Sequence, residues 1–372
     1  MNIKMNKTCG YSMQIPLYQE SDLNLRVVKT TIISLLVSIL IFVIVLGNFL
    51  IVAAVYNFKH LRTTQYFYVC SLATSDLLLG VLVIPLNLVR EMYGYWPLGE
   101  TICKIHLSLD ILLCTASIWN LCMISISRWW ILSAKSCSFL RSIPNRLCIF
   151  MVVCVWMWSA LVCAWSFDAY QQPIDQSVCK HSQMKWYAIF SSCSSFYVPL
   201  IIMCLAYGKI SCILKDQAQN TQLRRFVLYR QKKLHLTTGL IMGAFVFCWF
   251  PFFQAHLTQI LCPTCCVPAS LLNFLAWLGY CNSALTPIIY TTKRSELRKA
   301  FCILLRNKRA CENAYPSLYA ASITSFRMAP FTLSPFSPAS TNLPRSIRRN
   351  TESRLSFNFI NEPTTNQHVI AA

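Results

Sequence analysis

Of the thirteen acidic residues in this chain, two stand deep inside apolar runs: Asp76 in "SLATSDLLLG" and Asp110 in "HLSLDILLCTASIWN". In hydrocarbon an ionised side chain costs at least ~2.5–3.5 kcal/mol, so each marks a candidate functional position. The packing alternative is a carboxylate held by neighbouring hydroxyls, or kept neutral. Depth separates their roles. Asp110 lies seven residues past Cys103, where its apolar run opens. A helix would hold it about two turns, ~10 Å, below the surface, within reach of a soluble cation. Asp76 sits near the middle of its run. Helical spacing puts Asp110, Cys114, Ser117, Leu121, Ile124 and Arg128 on one face. That stripe carries an acid at one end and, about 27 Å away, a base at the other.

Other runs supply partners. "SSCSS" sets Ser191, Ser192 and Ser195 at i, i+1 and i+4, so hydroxyls crowd one side of a helix. "CWFPFFQAH" groups Trp249, Phe252, Phe253 and His256 around Pro251, a residue that kinks helices. Aromatics in an apolar run are ordinary alone, and serines also serve helix packing in membranes. Combined with an acid, they describe a pocket for a cationic aromatic ligand. The carboxylate meets an ammonium, the rings pack on a ring, and the serines meet ring hydroxyls. At the far end, "SISRWW" holds Arg128 with no Asp or Glu within ten residues on either side.

The elements that must position these groups are read from hydropathy. The 372 residues are 55% hydrophobic and 12% charged, too apolar for an ordinary soluble domain. The apolar residues form seven blocks, roughly 30–56, 65–90, 103–127, 147–167, 187–213, 236–261 and 268–292. Each is long enough to cross a ~30 Å hydrocarbon core as a helix. The net charge of +20 does not form a basic face for nucleic acid. The positives gather in alternate connections: Lys59 and Arg62; Lys135, Arg141 and Arg146; Lys209 to Lys233; Lys293 to Lys299. Positive charge stays cytoplasmic, so residues 1–29 are expected outside and the C-terminus inside. Residues 1–29 carry no apolar block with a small-residue cleavage site, so a removable signal peptide is not expected.

"NKT" makes Asn6 a glycosylation sequon on the outer face. Of twenty cysteines, Cys9, Cys103, Cys179, Cys262, Cys265 and Cys266 fall outside the runs on that oxidising side. Cys103 and Cys179 are placed to staple a loop to the bundle. "CPTCC" has the look of a short zinc or redox motif but lacks a second ligand pair, which favours a loop disulfide.

These residues together resemble a rhodopsin-like G-protein-coupled receptor of the biogenic-amine group, over about 30–305. The likeness rests on Gly47–Asn48, "LATSD", "WPLG", Cys103 with Cys179, "DILLCTASIWNLC", Trp156, "SFYVP" with Tyr207, "FVFCWFPFF" and "WLGYCNSALTPIIYTT". The serines with His256 are most similar to dopamine receptors, then to adrenergic, octopamine or serotonin receptors. The resemblance implies an all-α membrane protein: a seven-transmembrane helix bundle over 30–292 in the plasma membrane, then an amphipathic surface helix over 293–307. It implies no enzymatic role and no cofactor beyond an internal sodium ion at Asp76, Ser117 and Asn282. Asp110 would be the amine counter-ion, with Cys114 beside it and Tyr280 steadying it. Ser191, Ser192 and Ser195 would meet ring hydroxyls, with Trp249, Phe252, Phe253, His256 and Trp277 as walls. Ile118, Pro199 and Phe245 match the packing triad that links ligand to helix movement. Arg128, Tyr207 and Tyr290 match positions that engage a heterotrimeric G protein. The polar tail, 308–372, suits phosphorylation by a receptor kinase and binding of arrestin, with Cys302 or Cys311 as lipidation sites.

Three positions depart from the family. Ser127-Arg128-Trp129 replaces Asp-Arg-Tyr, Gln231 replaces a frequent Glu, and Thr286-Pro287-Ile288-Ile289-Tyr290 replaces Asn-Pro-x-x-Tyr. The first two remove the acids that restrain the arginine at rest, implying raised basal signalling. They suit equally an amine-binding protein that couples poorly. A transporter or channel would need broken helices or internal repeats, and none is seen.

Overall fold

A computed structural model describes residues 20–133, 144–168, 179, 184–219, 225–262 and 264–305. Contacts divide the chain after Ala320, and all of these residues belong to the first unit. Asn6, Cys9, Cys311 and the 308–372 tail lie outside the described residues, as does the side chain of Gln231.

The described chain is helical throughout its spans, because hydrocarbon leaves no partner for an open backbone group. α1 runs Glu20–Asn57. The second span is α2 (Thr64–Leu78) and α3 (Ile84–Tyr93), joined without a break by a wide π turn over Leu79–Val83. α4 (Gly99–Ser133) and α5 (Asn145–Asp168) are the third and fourth spans. The fifth is α6 (Lys185–Ser192) and α7 (Val198–Gln219), joined by a second wide turn over Cys193–Tyr197. α8 (Arg225–Leu261) stays helical through Pro251, and α9 (Ala269–Lys293) through Pro287. Six of the spans are long and apolar enough to cross a membrane on composition alone. The seventh, α9, has the length but turns Tyr280, Asn282, Ser283 and Thr286 into the bundle, which dilutes its hydropathy.

Several helices run beyond the apolar blocks. α3 stops at Gly94, whose φ of 75° suits glycine, and the Gly94 N–H closes on the Arg90 carbonyl.

Buried polar groups stitch spans together. Asn48 on α1 donates to the Ser283 carbonyl on α9 (3.1 Å), and the Trp156 indole on α5 donates to Ser71 on α2 (3.1 Å). Ile118 and Phe245 are buried in the central apolar core, and Pro199 is buried on α7. At the outer end Cys103 bonds Cys179, and with Trp96 and Leu107 they form a small second core. Cys262 bonds Cys265, and Cys266 is also disulfide-bonded. α10 (Ser295–Leu304) buries Leu297, Ala300 and Phe301, a stripe at i, i+3 and i+4, while Arg298 is exposed and Cys302 half-buried.

Candidate functional site

α4 carries the stripe read from the sequence. Asp110 is half-buried near its outer end. The Tyr280 hydroxyl donates to Asp110 Oδ2 (3.1 Å) and the Cys114 thiol to Oδ1 (3.4 Å). From Tyr280 a chain of aromatic contacts extends to α8. Tyr280 stands edge-on to Trp277 (5.7 Å between centroids) and to Trp249 (6.3 Å). Trp249 meets Phe252 and Phe253, each at 5.9 Å, and Phe252 stacks parallel to His256 at 5.8 Å. Phe196, which residue type and spacing do not single out, stacks on Phe253 at 4.6 Å and meets Phe245 at 5.4 Å.

The walls leave little slack. A Cβ on Gly279 would stand 2.7 Å from a Trp249 ring carbon, too close for a rigid ring to accept. Gly279→Ala is therefore expected to cost about 1–3 kcal/mol by overpacking. A lower melting temperature of the purified protein would report it, and an unchanged one would show that Trp249 relaxes freely.

The three serines do not act as one row. The wide turn over Cys193–Tyr197 takes up an extra residue, so plain helical spacing fails between Ser192 and Ser195. Ser195 is buried 2.8 Å from the Thr115 hydroxyl on α4, a partner that helical spacing does not single out. Ser191 donates to its own backbone at Ala188 (3.3 Å). Ser192 is buried, and its hydroxyl has no hydrogen-bond partner among the described residues.

Deeper in, Asp76 is fully buried. Its Oδ1 accepts from Ser117 and Ser283, both at 2.9 Å, while the Thr286 hydroxyl donates to the Asn282 carbonyl at 3.3 Å. From α9 the hydrogen bond to the carboxylate thus comes from Ser283, and Asn282 is buried beside it. Asp76 Oδ2 has no hydrogen-bond partner among the described residues. An orphaned carboxylate oxygen in a shell of hydroxyls fits a hard cation that prefers oxygen ligands.

At the inner end Arg128 is 6% exposed, with Tyr66, Tyr290 and Arg294 among its electrostatic neighbours. Ser127 is buried and donates to the Ile124 carbonyl (2.9 Å), so its hydroxyl is turned to its own helix. The Tyr66 hydroxyl donates to Glu296 on α10 (2.7 Å). Tyr207 stacks on His235 of α8 at 4.0 Å, and His235 Nε2 lies 2.9 Å from the Ser211 hydroxyl.

Comparison with known proteins converges on one class. Residues 47–290 match the 7 transmembrane receptor (rhodopsin family). The D(1) dopamine receptor of Carassius auratus is 33% identical over 341 residues, covering 79% of this chain and 92% of that protein. The Alpha-2A adrenergic receptor of Danio rerio is 29% identical over 364 residues, covering 74% of this chain and 93% of its own. The Alpha-1A adrenergic receptor of Mus musculus is 30% identical over 319 residues, covering 75% and 68%.

Proposed function

The chain belongs to the rhodopsin family of seven-transmembrane receptors, in its biogenic-amine group, and is a membrane receptor rather than an enzyme; from that premise we propose that it binds an extracellular amine at Asp110 and activates a heterotrimeric G protein. The observation that carries this reading is a half-buried carboxylate, steadied by Tyr280, at the edge of an aromatic cage. An ammonium is the ligand group such a site pairs with, and the rings add cation–π attraction. A catechol or phenol amine such as dopamine is favoured by Ser192 and Ser195, two buried hydroxyls on the facing span. Serotonin and octopamine offer the same ammonium with other ring substituents.

An internal sodium ion belongs to the same proposal. Asp76, Ser117 and Ser283 would hold it, with Asn282 and Thr286 alongside, and it would add positive charge to a buried carboxylate. The proposed setting is the plasma membrane with the N-terminus outside, where Asn6 can be glycosylated. The cytoplasmic tail would be met by a receptor kinase and arrestin, and α10 would rest on the inner leaflet.

A second reading, amine binding with weak coupling, draws on Ser127 and Thr286, which replace an acid and an amide. Retention of Arg128 and Tyr290 favours signalling. One experiment separates these readings: a panel of amines applied to cells expressing the receptor, with cAMP read in both directions and amine binding measured in parallel. We expect catechol amines to be the most potent in both assays. Binding without any second-messenger change would support the second reading, and binding of no amine would overturn both.

A further inference from the structure

Behind the Asp110–Tyr280 pair lies a buried polar chain that the amine pocket itself does not require. Asn87 on α3 is 4% exposed, and His106 on α4, one turn above Asp110, is 1% exposed. Asn87 Nδ2 lies 3.0 Å from the Tyr280 hydroxyl, and Asn87 Oδ1 lies 3.3 Å from His106 Nε2. The His106 ring stacks on Trp96 at 5.2 Å, and the Trp96 indole N–H is fixed on the Gly99 carbonyl at 2.8 Å. Trp96 in turn belongs to the small core around the Cys103–Cys179 disulfide.

Proton counting gives this chain a direction. An ionised Asp110 only accepts, so the single Tyr280 proton goes to Asp110 and the Tyr280 oxygen accepts from the Asn87 amide N–H. The Asn87 carbonyl then faces His106, so His106 Nε2 must carry a proton, which it does both as the cation and as one neutral tautomer. If the Asn87 amide were reversed, its carbonyl would compete with Asp110 for the Tyr280 proton. His106, clamped by Trp96, is the group that decides between the two orientations.

We propose that His106 and Asn87 are positioning residues of the amine site, forming a one-way relay that keeps the Tyr280 proton on Asp110. The inference rests on reading Asp110 as the partner of the amine. Through it, the disulfide-anchored outer core sets the orientation of the counter-ion without touching the ligand.

The test uses the full-length receptor in cell membranes, with the most potent amine of the panel as the probe and surface expression measured on every variant. His106→Phe keeps the stack on Trp96 and removes the donor; Asn87→Leu removes the link. Each is expected to weaken amine affinity about 5- to 10-fold, the worth of one ordinary hydrogen bond. His106→Gln restores a donor and should recover most of the loss. Asn87→Asp should be worse than Asn87→Leu, because a carboxylate there competes for the Tyr280 proton. In a Tyr280→Phe background, His106→Phe should have no further effect, a non-additivity that mere packing would not produce. A wild-type response that needs Asp110 but ignores His106→Phe and Asn87→Leu overturns the relay alone. Additive losses in the Tyr280→Phe background overturn it as well. Failure of every amine to bind the unmodified receptor overturns the underlying reading, and the relay with it.

Discussion

Asp110→Asn is expected to raise the amine concentration needed for half-maximal binding by about 30- to 5,000-fold. The substitution keeps the size of the side chain and one acceptor for the Tyr280 hydroxyl, now 3.1 Å from Asp110 Oδ2. What it removes is charge. The ammonium of the ligand would enter an aromatic cage with no anion to meet it, and stranding one partner of a buried pair costs about 2–5 kcal/mol. Asp110→Glu keeps the charge but pushes it one methylene further, away from the Tyr280 proton, so a smaller loss is expected. Competition binding at matched surface expression measures both. A shift of less than about tenfold for Asp110→Asn would remove Asp110 from the role of counter-ion.

The second large effect concerns the inner end of α4. Restoring the two acids, Ser127→Asp with Gln231→Glu, should lower basal second-messenger output by a few-fold to about 30-fold. Ser127 is 2% exposed, so a carboxylate placed there has little water to solvate it and must find a cation. Arg128 is the next residue and is itself buried. Because both acids share one arginine, the restored contacts together are worth about 0.5–2 kcal/mol to the resting arrangement. Basal output is compared with that of mock-transfected cells, and the response to amine is recorded alongside. If the unmodified receptor already sits at the mock level while amine still activates it, the idea of a missing restraint is wrong.

The spans were legible in the sequence because the bilayer imposes long apolar runs, and so was the stripe from Asp110 to Arg128, which lies on one unbroken helix, α4. Charges were legible for a similar reason: in hydrocarbon a carboxylate stands out. Neutral polar groups do not, and Asn87, His106 and Thr115 passed as ordinary members of apolar runs although each bonds across helices. Spacing failed at the serines, because a wide turn is one additional residue and leaves no compositional trace. Around Asp76 the carboxylate takes a hydrogen bond from Ser283, while Asn282, one position earlier, lies buried alongside. Neighbouring residues on a helix differ by about 100° in direction, so the rotation of α9 decides which one reaches the acid. That rotation is fixed by packing, including the bond from Asn48 to the Ser283 carbonyl, and not by anything local to α9.

The wide turns at Leu79–Val83 and Cys193–Tyr197 also bear on how the gene can change. Each absorbs one surplus residue within a single turn, so the helix on either side keeps its phase. Loss of one codon inside such a turn would close it to an ordinary α turn and leave both flanks facing as before. The same loss elsewhere in these spans would swing every later side chain by about 100° and take the pocket out of step with the inner face. In spans two and five, single-codon deletions should therefore be tolerated at these two turns and purged nearly everywhere else.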